Sequence, residues 1–394
     1  VTFQLSADDV LSALSVCCGE PLEDPAEAVA ALRQGQPSLT ATLYSAWAAD
    51  GVTLDPGIAY DLELATSRVT FYRTVAAELA ARVSDLTPIK GLEVADRYPS
   101  GLGRTMNDLD YVAGTEAALW RAAGLLIDDG WDLHTGTFAC FGDRLHMMVS
   151  LRRPHESRFV LPYGVEIATW WSLGDLAGVP PLTAMPQPWR APAVKNTLML
   201  LFERFEQRFR ARDLIDASLL VASASEDELI TLTRALTALG LWPEYAELAA
   251  LVARTSLPPL PPPPRRNQLD TRARRAIRSA AVLRRPLTGM ARHLQRRNIK
   301  GASARIEQRS WAAAAERLSA GASVRAGVLA FGLPLDGAPR GDAPTATLHE
   351  RDRLAWVDTP VGRFLLTIGD EVDEDTVAEL SGPVPSPATT GANP

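Results

Sequence analysis

Cysteine is scarce: Cys17, Cys18 and Cys140 are the only three in 394 residues, and two of them are adjacent. They cannot build a disulfide framework. A zinc site lacks support too, because the sequence has no Cys-x-x-Cys and none of its histidines (His134, His146, His155, His293, His349) forms a His-x-x-x-His pair. Runs of about 18 uncharged apolar residues, the length a membrane-spanning helix needs, are missing. The segment Val1 to Asp9 lacks a basic start followed by an apolar stretch. These absences lead us to expect a reduced, cytoplasmic protein with no membrane partner. No Gly-x-Ser-x-Gly, Walker or dinucleotide fingerprint occurs, which removes the usual support for hydrolase, P-loop and Rossmann chemistry.

What is present is an ordinary globular composition, 46% hydrophobic and 22% charged, in a chain longer than one hydrophobic core usually supports. Two or three domains are expected. The charge is unevenly placed. The net value is -7, yet from Arg265 to Arg309 there are 14 Lys or Arg against Asp270 and Glu307 alone, so that stretch carries +12 and the remainder -19. The stretch holds no aromatic residue, which argues against a stacking platform for single strands. Two roles stay open for it: holding RNA through its phosphates, or lying across the acidic remainder as an internal strap.

Hydrophobic periodicity divides the chain. Residues 1–85 read as a helical region, with Val10, Leu11 and Leu14 in one segment and a stripe from Leu62 to Val83 in a long one. Residues 86–180 read as a small mixed sheet with helices: strands at Leu86 to Ile89, Asp108 to Ala113, Arg144 to Leu151 and Phe159 to Trp170, and helices at Leu92 to Tyr98 and Glu116 to Asp128. Residues 190–256 form a helical bundle that starts with a helix carrying Leu198 through Phe209 and continues with helices near Glu226 to Leu239 and Glu244 to Arg254. Six prolines in residues 257–264 mark an extended linker and the clearest boundary. A basic helical arm (265–310), a small strand-rich domain (311–384, with strands at Val324 to Phe331 and Pro360 to Leu365) and a disordered tail (385–394) follow. The expected fold class is α+β.

Chemistry concentrates at Lys90-Gly91, Arg104 and Asp108-Leu109-Asp110. Side chains alternate along a strand, so Asp108 and Asp110 share one face while Leu109 and Tyr111 point to the core. Paired carboxylates repel unless a cation joins them, and hard oxygens select Mg²⁺ or Mn²⁺. Gly91 permits a tight turn into a helix whose first amides can hold a phosphate, with Lys90 adding a positive charge.

The order strand, Lys-Gly, helix, Arg-bearing loop, Asp-x-Asp strand resembles the polymerase-beta superfamily of nucleotidyltransferases. Lys90-Gly91, Arg104 and Asp108-Leu109-Asp110-Tyr111-Val112 are similar to one bacterial nucleotidyltransferase family in particular, over about residues 86–218. The resemblance implies a nucleotidyltransferase core at 86–180, with the bundle at 190–256 completing the nucleotide cleft. It implies two Mg²⁺ ions on Asp108, Asp110 and a third carboxylate, for which Glu166 in Val165-Glu166-Ile167 stands in place. Ala168 occupies the position of that family's His. The implied reaction moves a nucleoside monophosphate from an NTP, ATP among the candidates, to a hydroxyl on a small molecule, peptide or RNA, releasing pyrophosphate. Glu166 is either metal ligand or general base, or a solvated edge charge. Arg104 either grips phosphate or pairs with Asp96 or Asp110. Arg208, in a helical stripe with Arg204 and Arg212, faces triphosphate or solvent beside Glu203 and Glu206. Asp213 and Asp216 resemble a segment of the family's helical half and are expected to be structural. The rival reading is a non-catalytic, degenerate transferase fold that binds a partner or peptide.

The basic arm gives a direct test. If it holds RNA, neutralising Arg274, Arg275 and Arg278 weakens RNA binding across sequences and flattens its salt dependence, because fewer counterions are released. Lower thermal stability in the triple variant, with no RNA binding by either protein at low salt, identifies an internal strap.

Overall fold

The computed structural model describes residues 3–22, 24–174, 179, 181–205, 207–264, 319–325, 327, 329–335, 344–351, 354–367, 377 and 380–381. The basic arm (265–310) and the tail (385–394) lie outside the described residues. The fold is α+β, 48% helical and 20% strand. In chain order the elements are α1 (Ala7–Cys18), α2 (Pro25–Gly35), α3 (Thr40–Ala49), α4 (Pro56–Arg82), β1 (Leu86–Ile89), α5 (Gly91–Ala95), β2 (Asp108–Ala113), α6 (Glu116–Asp128), β3 (Asp132–Phe141) and β4 (Arg144–Arg153). There follow β5 (Tyr163–Ala168), α7 (Pro192–Glu203), α8 (Ala211–Ala222), α9 (Glu226–Leu239), α10 (Trp242–Val252), α11 (Ala320–Arg325), β6 (Ala330–Pro334), β7 (Thr347–Arg351), β8 (Leu354–Thr359) and β9 (Gly362–Thr367). No described helix is long and apolar enough to cross a membrane. All three cysteines are free thiols.

The chain divides into two compact units, one within 1–82, 87–112 and 170–281, the other within 83–86, 113–169 and 282–394. Local signals start the helices of the first unit. Ser6 accepts from the Asp9 amide at 3.2 Å while Asp9 accepts from the Ser6 amide at 2.9 Å, which satisfies two otherwise unpaired donors at the start of α1. Ser225 and Glu228 repeat this arrangement at α9, and Asp24 followed by Pro25 opens α2.

Residues 1–85 do not form a separate domain. Val10, Leu14, Leu32, Leu43 and Tyr44 lie in one hydrophobic cluster with Val194, Leu198, Leu214, Ile215 and Leu248. Apolar faces are buried helix against helix, with α1 packed between α3 and α8. The proline-rich stretch 257–264 is likewise no free linker. Leu257 and Leu260, three residues apart and so on one face of an extended helix, are buried in the same cluster. Ser218 and Tyr245 donate to the carbonyls of Pro258 and Pro261 at 2.7 and 3.0 Å, which an extended proline segment leaves unpaired.

The helix expected to continue through Arg212 breaks after Glu203. Arg204 turns to Glu247 at 3.0 Å, Phe209 enters the core, and Arg210 starts α8 with its amide on the Asp213 carboxylate at 2.8 Å. Arg204, Arg208 and Arg212 therefore form no single stripe.

The second unit carries an antiparallel sheet with strand order β5-β4-β3-β6-β9-β8-β7. β3 went unexpected in the sequence, where its polar start and a register shift between Leu133 and Thr135 mask the alternation. The C-terminal strands, expected as a domain of their own, continue this sheet: Phe138 pairs with Ala330 and Gly136 with Gly332. Val324, expected in a strand, lies in α11.

Phe138 and Phe364 meet edge to face at 5.2 Å in the core of this unit. Gly136 and Gly332 make room for them, since a Cβ on either would stand 2.6 Å from Phe138 Cε2. Gly332→Ala therefore destabilises by about 1–3 kcal/mol in urea unfolding. Gly124→Ala on α6, with nothing within 4 Å of an added Cβ, is neutral or stabilising. Equal effects from the two substitutions would contradict the packing.

Candidate functional site

The first unit assembles most of the residues singled out above. β2 alternates as expected, with Leu109 and Tyr111 buried and Asp108 and Asp110 half-buried on the opposite face. Burial, with the Glu93 charge, holds the Tyr111 hydroxyl above its ordinary pKa, which places the core side of β2 near α5. The start of β2 is fixed from α4, where the buried Tyr72 hydroxyl donates to the Asn107 carbonyl.

The Lys90-Gly91 turn lies against the segment that leads into this strand, for a Cβ on Gly91 would lie 3.1 Å from Met106 Cε. Gly91 has φ of +42° and Lys90, unusually for a residue with a side chain, has φ of +54° and ψ of -132°. Such a conformation costs roughly 1–3 kcal/mol and persists only where surroundings enforce it. Here α7 enforces it. The Lys90 amide donates to Asn196 Oδ1 at 2.6 Å, and Lys90 Nζ lies 2.5 Å from Glu203 Oε1. Burial alone would raise the Glu203 pKa, but Lys90, with Arg212 and Arg104 nearby, outweighs it and holds the carboxyl below its ordinary range. The helix expected to offer its first amides to phosphate is short, covering Gly91–Ala95 only.

Arg104 pairs with neither Asp96 nor Asp110. Its guanidinium grips Asp216 of α8 through Nε at 3.1 Å and Nη2 at 2.7 Å, with the two side chains 5% and 0% exposed. Asp96 is taken by Arg73 at 2.5 Å. Tyr98 donates to the same Asp216 carboxylate at 2.7 Å. Burial works against the Arg104 charge, yet Asp216 more than compensates and raises its pKa, so the guanidinium stays charged. The neighbouring loop is pinned to α3 by Gly103 N to Ser45 Oγ (2.8 Å) and Ala41 N to Thr105 Oγ1 (3.1 Å).

Glu166 lies half-buried on β5 of the second unit, in register with Ser150, and Arg208 is exposed between α7 and α8. Lys195, Asn196, Glu93, Glu203 and Tyr98 were not foreseen. One signal for them was legible: Lys195-Asn196-Thr197 interrupts an otherwise apolar run in a helix buried from Ala193 to Phe202, and polar groups in such a place need partners.

Among the described residues no group of three or more His, Cys, Asp or Glu side chains is placed to hold a metal. Two carboxylates on one strand face nonetheless match Mg²⁺, which commonly takes one or two protein carboxylates and leaves its other positions to phosphate and water. No family model matches the chain, and neither a curated protein nor a solved structure does.

Asp213 adds a pH dependence. Its carboxyl is pushed up to about 6 by burial and then by the Glu203 charge. An acid whose pKa is higher in the native state than the ordinary 3.8 binds its proton more readily there, so its contribution to stability declines as pH rises through that interval. Asn at this position stays neutral and can still accept from the Arg210 amide. Asp213→Asn therefore gains on the wild type as pH rises from about 4 to 7 in thermal melts. A wild type that gains on the variant over this range would contradict the assignment.

Proposed function

We propose that the protein is a Mg²⁺-dependent nucleotidyltransferase that moves a nucleoside monophosphate from an NTP to a hydroxyl acceptor. The observation that carries the reading is the pair Asp108 and Asp110, half-buried on one face of β2 beside the Lys90-Gly91 turn. The reading draws on residues of the first unit alone.

In it, Asp108 and Asp110 hold the divalent ion, Mg²⁺ or Mn²⁺, through hard carboxylate oxygens, and Lys90 brings a positive charge to the triphosphate from a turn that α7 holds in place. Bound Mg²⁺ supplies neutralisation of the phosphate charge and a lowered pKa for the attacking hydroxyl. Arg104 pairs with a carboxylate, though not with either of the two expected: engaged twice by Asp216, it fixes the loop that leads into β2.

One observation favours the rival reading of a non-catalytic binding protein. Lys90 and Arg104, two of the three cations expected at phosphate, each face a carboxylate of their own chain, Glu203 and Asp216.

Transfer of label from radiolabelled NTPs in the presence of Mg²⁺ and cell extract separates the two. Asp108→Ala and Asp110→Ala each abolish transfer, because each removes a half-buried strand carboxylate that would hold the ion. Asp108→Ala, which removes one of two carboxylates on the same strand face, leaves the melting temperature unchanged or raises it. Full transfer by both variants, or none by the wild type with any NTP, sinks the proposal.

A further inference from the structure

Asn196 is wholly buried at the start of α7, and both ends of its amide are used. Oδ1 accepts from the Lys90 amide at 2.6 Å, and Nδ2 donates to Glu93 Oε2 at 2.9 Å. The preceding residue works on the same segment, with Lys195 Nζ on the Pro88 carbonyl at 2.7 Å and on Glu93 Oε1 at 2.9 Å. Two adjacent side chains of one helix thus hold the backbone from Pro88 to Glu93. The held segment contains both consecutive positive-φ residues, Lys90 and Gly91.

These roles are chemically fixed. The atom facing a backbone N–H must accept, and the atom facing a carboxylate must donate. A carboxamide does both. A carboxylate at 196 would keep the first bond, lose the second and face Glu93 with a like charge; an apolar residue would lose both.

We infer that Asn196 is the positioning residue of the phosphate site: its amide, oriented by Glu93 and bonded to the Lys90 amide, sets the direction in which the Lys90 side chain leaves the turn, toward a polyphosphate. The inference rests on the nucleotidyltransferase reading above. Glu203, seven residues further along α7, faces Lys90 Nζ. A triphosphate oxygen then replaces Glu203 as partner of an ammonium already in place, so little side-chain freedom is lost on binding.

The test exchanges donor and acceptor. Asn196→Asp alone keeps the Lys90 bond and breaks the Glu93 bond, whereas Asn196→Asp with Glu93→Gln restores the bond between positions 196 and 93 with donor and acceptor exchanged and keeps the net charge. Binding to the full chain is measured calorimetrically with each Mg²⁺·NTP and with Mg²⁺·tripolyphosphate, alongside melting temperatures. Asn196→Asp is expected to weaken NTP and tripolyphosphate by the same factor, about tenfold or more, with recovery in the double variant. Equal losses on the two ligands place the effect at the phosphates, which a general loosening of the fold does not reproduce. If the single variant does not fold, a double variant that folds and binds as wild type supports the inference. Unchanged affinity in a folded single variant overturns it, and so does a double variant that fails to fold or to recover binding. Wild type that binds none of the ligands overturns the functional reading, and this inference with it; wild type that binds NTP while Asn196→Asp binds equally well overturns this inference alone.

Discussion

Taking a guanidinium and a carboxylate out of water is unfavourable unless each meets the other in good geometry, and Arg104 and Asp216 do so, with the closest contact 2.7 Å, at a site almost closed to solvent. The two residues are 112 positions apart. Their contact joins the loop before β2 to α8, and Tyr98 takes a further position on the same carboxylate. With that loop fixed, the entry to β2 and the position of Asp108 follow. Loss of either partner would strand a buried charge, at a cost of about 3–5 kcal/mol.

The same requirement, that a buried polar group be partnered, organises the rest of the first unit around α7. Lys195, Asn196 and Glu203 lie on one helix and meet Pro88, Lys90 and Glu93 on the segment from β1 to α5. The strained Lys90 backbone is stable because these bonds hold it. Structure and proposed chemistry share residues here, and this is why the cations expected to face phosphate are found facing carboxylates. The Lys90 side chain is 22% exposed, while Arg104 is buried and belongs to the scaffold.

What could be read from the sequence was what is encoded locally. Glu116–Asp128 and Glu226–Leu239 carry their caps in Thr115 and in Ser225 with Glu228, and both were expected with these bounds. β2 announced itself by the alternation of Asp108, Leu109, Asp110 and Tyr111. α3 did not, because residues Ala41 to Trp47 are all buried and leave no polar face to give a helical period. The proline-rich stretch looked like a linker by composition, and only the spacing of Leu257 and Leu260 hinted that one face is buried. At the site, the carboxylate pair was legible and the partners of Lys90 and Arg104 were not. Those partners come from α7 and α8, about a hundred residues away, where no local pattern records the match.

We propose that the first unit holds an NTP through a divalent ion on Asp108 and Asp110. Thermal melting of the full chain with each NTP, in excess Mg²⁺ and in EDTA, tests it most directly. A ligand that binds only the native state stabilises it by mass action, about 2.7 kcal/mol at a hundredfold excess over its dissociation constant. A rise in melting temperature is expected with at least one NTP in Mg²⁺ and little or none in EDTA. Equal shifts in the two conditions, or no shift with any NTP, would contradict it.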